Sequence, residues 1–212
     1  MSTLAGPEQS VSRPGNADPP GKTARQFGRL VAATRMVESV RALASSAGEG
    51  SVRQAAERCL EAFRQGETLA AIADLLGEDR SAAQPAFHRL LELLGPQAIR
   101  QLLLFLGDEP DLSRRRRLFD LLASLGPAVV EPAVSLLDDP RWYMTRNILS
   151  LLRQVGEGID LKVLFRGLGH SDPRVRLEAV KCIPGLDREV SPELFERILG
   201  DPDPKVAEAA GV

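Results

Sequence analysis

Glycine recurs along this chain at the spacing of a helical hairpin. Gly66, Gly95, Gly126 and Gly156 stand 29, 31 and 30 residues apart, and Asp187 falls 31 residues later, where the next would be. Between these marks lie two amphipathic stretches joined by a short polar turn. A repeat of this length is one supersecondary unit that needs stacked neighbours to complete its core. Each glycine is expected to close one helix in the left-handed conformation, where other residues strain. Pro96 and Pro127 follow directly and suit the first position of a new helix.

Within the hairpins, Asp139-Pro140, Asp172-Pro173 and Asp203-Pro204 each offer a capping carboxylate before a proline at the first helical position. Ser191-Pro192 follows the same plan, as does Glu109-Pro110 with a weaker cap. Upstream, Phe27, Leu30, Val31, Thr34, Val37 and Val40 recur at helical spacing. A second helix over about Val52 to Phe63 carries Ala56, Cys59, Leu60 and Phe63 on one side. Residues 1–22 hold Pro7, Pro14, Pro19 and Pro20 among glycine and serine, with almost no large apolar residue. They are expected to be a disordered tail. The division is therefore a tail over 1–22, atypical N-terminal capping helices over 23–65, and a repeat array over 66–212. Its last unit stops early in what should be a second helix.

Composition agrees with helices packed through aliphatic side chains. Of 212 residues, 43% are apolar but only 4% aromatic. Two stretches carry a family signature. These are His170-Ser171-Asp172-Pro173-Arg174-Val175-Arg176-Leu177-Glu178-Ala179-Val180 and Asp201-Pro202-Asp203-Pro204-Lys205-Val206-Ala207. The chain resembles bacterial HEAT-like repeats over about residues 50–212. His170 stands where the family often has Asp, and Ala207 where it often has Arg. The resemblance implies an all-α fold, a right-handed α-solenoid of antiparallel helical hairpins whose second helices line a concave face. It specifies fold far more than function.

A binding role follows more readily than a catalytic one. There is no glycine-rich phosphate loop, Cys-x-x-Cys, His-Glu-x-x-His or Gly-x-Ser-x-Gly. The two histidines, His88 and His170, sit in non-neighbouring hairpins. His88 reads as a partly buried helix residue and His170 as a turn residue capping the helix near Asp172. Cys59 and Cys182 read as small buried hydrophobes rather than a disulfide. No cofactor, metal or small-molecule substrate is expected. With 27 basic and 29 acidic residues, the chain lacks the basic balance of a dedicated nucleic-acid domain. No apolar run approaches the ~18 to 20 residues that span a bilayer, so a cytoplasmic protein without a membrane partner is expected.

The most informative stretch is 140–155. At about 100° per residue, Met144, Ile148, Leu149, Leu151, Leu152 and Val155 fill one arc, with Trp142 at its edge. Tyr143, Arg146, Asn147, Ser150, Arg153 and Gln154 fill the other. The equivalent helix one repeat earlier carries Arg116, Arg117 and Asp120. The resemblance implies that Arg116, Tyr143, Arg146 and Arg153 lie side by side in the groove, and with Asn147 they form a candidate row for binding a partner protein through an acidic segment. The same pattern also describes an ordinary solvated helix face. Trp142 is expected in the core, at the position of Val175 and Val206. Two other functions stay open through the resemblance: a nucleic-acid protein like the HEAT-like alkylpurine DNA glycosylases, and a HEAT-like lyase attaching bilins to phycobiliproteins. Asp120, the only acid in the row, lies one repeat from Tyr143, which disfavours the former.

Overall fold

The computed structural model describes residues 22–48, 50–75, 83–185 and 191–209. Among them are twelve α-helices, two short 3-10 segments and no strand. The disordered tail expected over 1–22 lies outside the described residues except for Lys22, which opens the first helix. Asp187 and Ala210 to Val212 also lie outside them.

Helices α1 (Lys22–Ser46) and α2 (Ser51–Arg64) come first, and five further pairs follow. These are α3 (Gly66–Asp74) with α4 (Gln84–Leu94), then α5 (Pro96–Asp108) with α6 (Leu112–Ala123). Next come α7 (Val130–Val134) with α8 (Trp142–Val155), α9 (Leu161–Leu168) with α10 (Pro173–Lys181), and α11 (Pro192–Leu199) with α12 (Pro204–Glu208). The second helices α6, α8, α10 and α12 pack each on the next, as do the first helices α3, α5 and α7. At the N-terminal end, α1 lies against α4, while α2 lies against α3 and α5. One apolar core runs unbroken from Leu30 in α1 to Val206 in α12, and it is largely leucine, isoleucine, valine and alanine.

Gly95, Gly126 and Gly156 have φ values of 81°, 57° and 76°, costly for any other residue; Gly95 and Gly156 cap α4 and α8 as expected, whereas Gly126 opens a 3-10 segment two residues after Ser124 caps α6. Gly95 closes α4 and is also the residue from which α5 departs. Gly66 differs. It does not close α2 but opens α3. A Cβ there would lie 2.5 Å from the Gln101 backbone oxygen, so its value is the close approach of α3 to α5.

The turns within the hairpins correct the capping expectation. Asp111, Asp172 and Asp203 are side-chain N-caps there, accepting from the backbone N–H groups of Arg114, Arg174 and Lys205, and between hairpins Asp160 and Ser191 accept from those of Val163 and Leu194. Asp139 and Glu109 sit two residues before the cap instead. Their carboxylates accept from Arg141 N–H at 3.0 Å and Asp111 N–H at 2.9 Å. His170 Nδ1 and Asp201 do the same for Asp172 and Asp203, both at 2.9 Å. Asp201-Pro202-Asp203-Pro204 contains both acid–proline pairs. In the turn at 139–142 only the first pair survives, so the helix starts two residues later than Pro140. That shift moves the register: Met144, not Trp142, matches Val175 and Val206, and these three are 2%, 0% and 0% exposed.

Candidate functional site

The second helices turn their polar arcs away from the core, and α6, α8 and α10 carry arginines on those arcs or at their N-terminal turns. The turn arginines are engaged. Arg114 pairs with Glu109 at 2.9 Å and with Asp74 at 2.8 Å, and its guanidinium lies 5.0 Å from the Phe105 ring centre. Arg141 grips Asp139 in two-pronged fashion, with both bonds at 2.8 Å, and reaches back to Asp108 at 2.7 Å. These carboxylates hold the Arg141 proton more tightly than usual, and Arg141 in turn keeps Asp139 below the usual carboxylate range. Arg176 holds Asp201 through two bonds of 2.8 Å and donates to the His170 and Ser171 carbonyls. A fork–fork pair of this kind fixes geometry as well as charge.

Trp142 belongs to this edge and not to the core. It is half-buried. Arg174 lies 3.4 Å above its ring centre while pairing with Asp172, and the Tyr143 ring meets it edge-on at 5.9 Å. The expectation of a buried Trp142 fails because it opens the helix on the turn side, a place filled by proline in α10 and α12. Tyr143 is likewise half-buried, and its hydroxyl donates to Asp108 at 3.3 Å.

Further along these helices stand two arginines in a different situation. Arg116 and Arg146 are exposed, and neither has a hydrogen-bond or ion-pair partner among the described residues. Each stands five residues after its helix's N-cap, Asp111 and Arg141, so they occupy equivalent places on two packed helices. His88 holds the same place on α4, five residues after Ala83. Asn147 is half-buried and lines a narrow crevice against Gly107 and Met144. Arg153, expected in the row, is occupied instead. Its guanidinium bonds the buried Glu178 carboxylate of α10 at 3.1 and 3.2 Å. Arg117, beside Arg116, approaches Asp74 at 3.9 Å.

The structure thus sets Tyr143, Arg146 and Asn147 on one face of α8, with Arg116 in register on α6, and ties Arg153 to the next hairpin. Sequence reasoning missed Arg141 and Arg174. The signal was present: each follows an aspartate by two residues, the spacing at which an arginine can clasp a turn carboxylate. His88 and His170 are close to expectation. His88 Nε2 lies 2.9 Å from Ser124 Oγ, and burial lowers its pKa against the opposing pull of Glu92. Cys182 is buried, but Cys59 is exposed, contrary to expectation; its helix turns that side to solvent.

Among the described residues no three His, Cys, Asp or Glu side chains are grouped to hold a metal ion. No single helix there is long and apolar enough to cross a membrane. Helices α4 and α5 together reach that composition, but they bend by 114° at Gly95 and their leucines fill the core. These features define a helical-repeat-like all-α protein with a basic strip on two adjacent second helices. No family model matches the chain, and no curated protein matches it closely enough to be a relative.

Proposed function

We propose that this chain is a HEAT-like interaction scaffold, a right-handed solenoid whose second helices face a groove that binds an acidic segment of a partner protein. Arg116 and Arg146 supply the charge, and Tyr143 and Asn147 flank them. The supporting observation is the contrast in pairing. Most arginines of these hairpins are matched to aspartate or glutamate, while the two at equivalent outward places on α6 and α8 have no such partner among the described residues. An exposed guanidinium with no acid bonded to it is a group that a carboxylate can engage in two-pronged fashion. The role is non-catalytic, and the protein would act in the cytoplasm.

The test is affinity capture from native lysate with wild type and an Arg116→Ala, Arg146→Ala double variant, read by mass spectrometry at rising salt. Wild type should retain a set of proteins that the double variant loses and that salt elutes. Identical protein profiles for the two would sink the proposal. Retention of RNA or DNA, lost in the double variant, would move the strip to phosphate recognition instead.

A further inference from the structure

The first helices of the hairpins can be compared place by place. In α3, α5 and α9 the fourth and eighth residues after the N-cap are Leu69 and Ala73, Ile99 and Leu103, and Leu164 and Leu168, none more than 8% exposed. In α5 these two places face the following hairpin. Ile99 lines a cavity with Ala128, just before α7, and Leu103 lines a crevice with Met144 and Ile148 of α8. In α11 the same places hold Phe195 and Leu199, which are 37% and 58% exposed. These side chains are at least as large and apolar as those buried elsewhere. Helix α11 therefore presents the contact surface of an internal junction without its cover.

Across the described stack, α1 has an uncovered strip of its own. Thr34, Glu38 and Arg41 touch α4, at the Ala86 carbonyl, at Arg89 and at the Leu93 carbonyl. At about 100° per residue, Arg25, Arg29, Ala32, Met36 and Leu43 share an arc of about 60° on the opposite side of the helix. All five are exposed, Met36 by 52% and Leu43 by 48%. The arc contains no acid, and Arg25 and Arg29 have no partner among the described residues.

The two surfaces are opposite in charge. Helices α1 and α2 carry eight bases and three acids, and two of those acids, Glu57 and Glu61, pair with Arg53 and Arg64. From Glu193 to Glu208 there are five acids and two bases, and with Asp201 committed to Arg176 the acids still lead by four to two.

We propose that the α11 face of one copy of this chain docks on the α1 strip of a second copy. Phe195 and Leu199 meet Met36 and Leu43, with Arg25 and Arg29 turned towards the acids of α11 and α12. The internal junction sets the pattern: Leu103 of α5 meets a second helix, and α1, packed on α4, lies on the second-helix side. A contact between two different surfaces leaves one of each free, so it propagates head to tail. This association is independent of the basic strip on α6 and α8.

Sedimentation velocity on the purified chain tests it. Wild type should form species larger than a dimer as concentration rises, and salt should shrink them. Leu199→Asp and Met36→Asp each spoil one surface at an exposed position, and each alone should stay monomeric where wild type associates. Mixed in equal amounts they should form a dimer and nothing larger, because the intact α11 face of Met36→Asp fits the intact α1 strip of Leu199→Asp. Recovery of that dimer also shows that both variants are folded. Wild type that stays monomeric up to about 1 mM, where a Kd of that order would register, overturns the proposal. So does a mixture of the two variants that stays monomeric. Assembly lost in Leu199→Asp but kept in Met36→Asp overturns it too, since that would be a two-fold contact of α11 with itself.

Discussion

The turn edge and the outward face of α6 and α8 contain the same residue type in opposite circumstances. At the edge, Arg114, Arg141, Arg174 and Arg176 clasp acids, carbonyls and an aromatic ring, and they tie each hairpin to a neighbour. On the face, Arg116 and Arg146 have no partner among the described residues. Arginine content alone therefore says little about what the surface can bind. The separation is only one helical turn, and which arginine is engaged depends on whether a turn carboxylate stands two residues before it or in the adjoining hairpin.

The largest effect that would sharpen this contrast is expected at Asp201, because Arg176 and Asp201 are only 12% and 10% exposed. Asp201→Ala leaves a largely buried guanidinium unpaired and the Asp203 N–H without its acceptor. A loss of about 3 kcal/mol in denaturant unfolding is expected. A loss below about 0.5 kcal/mol would break the distinction. Next comes Trp142→Ala. The ring is half-buried under Arg174, so the cost should be about 1–2 kcal/mol, well short of the about 3–5 kcal/mol of a buried tryptophan.

A smaller effect is expected from acid. The hydrogen bonds from Arg174 hold the Asp172 carboxyl at about 2, against about 3.9 in an unfolded chain. The folded state then binds fewer protons than the unfolded one in that interval. The contribution is complete above about pH 4 and disappears as pH falls towards 2. Asp139 and Asp201 shift the same way, chiefly through Arg141 and Arg176. Thermal melts should show falling stability across that window, with a shallower slope in Asp172→Asn. The smallest effect belongs to the face: Arg116→Ala and Arg146→Ala should each change stability by no more than about 0.5 kcal/mol. A larger loss in either would mean that it has a structural partner after all.

The repeat is legible in the sequence because glycine and proline act locally. A left-handed residue at Gly95, Gly126 or Gly156 has few substitutes, and its spacing reports the hairpin length directly. The starts of α6 and α8 are less legible. An acid–proline pair reads the same whether it is the first or second of its motif, and taking Pro140 as the helix start puts Trp142 in the core. The face of α8 is readable as a face. The engagement of Arg153 is not, because Glu178 lies 25 residues away and on another hairpin. Ala56, Leu60 and Phe63 define the inward side of α2, and Cys59, next to Leu60 in sequence, points away from it.

Cys182 gives the protein a built-in reporter. Its thiol is fully enclosed between α8 and α10, donating to the Glu178 carbonyl at 3.2 Å, and burial pushes it up to about 12. A thiolate-seeking reagent reaches it only when those two helices part, whereas exposed Cys59 reacts at once. Two-phase labelling kinetics on the unmodified chain would therefore clock how often a single junction in the stack breathes, and comparison with global unfolding would say whether neighbouring hairpins separate one by one or all together.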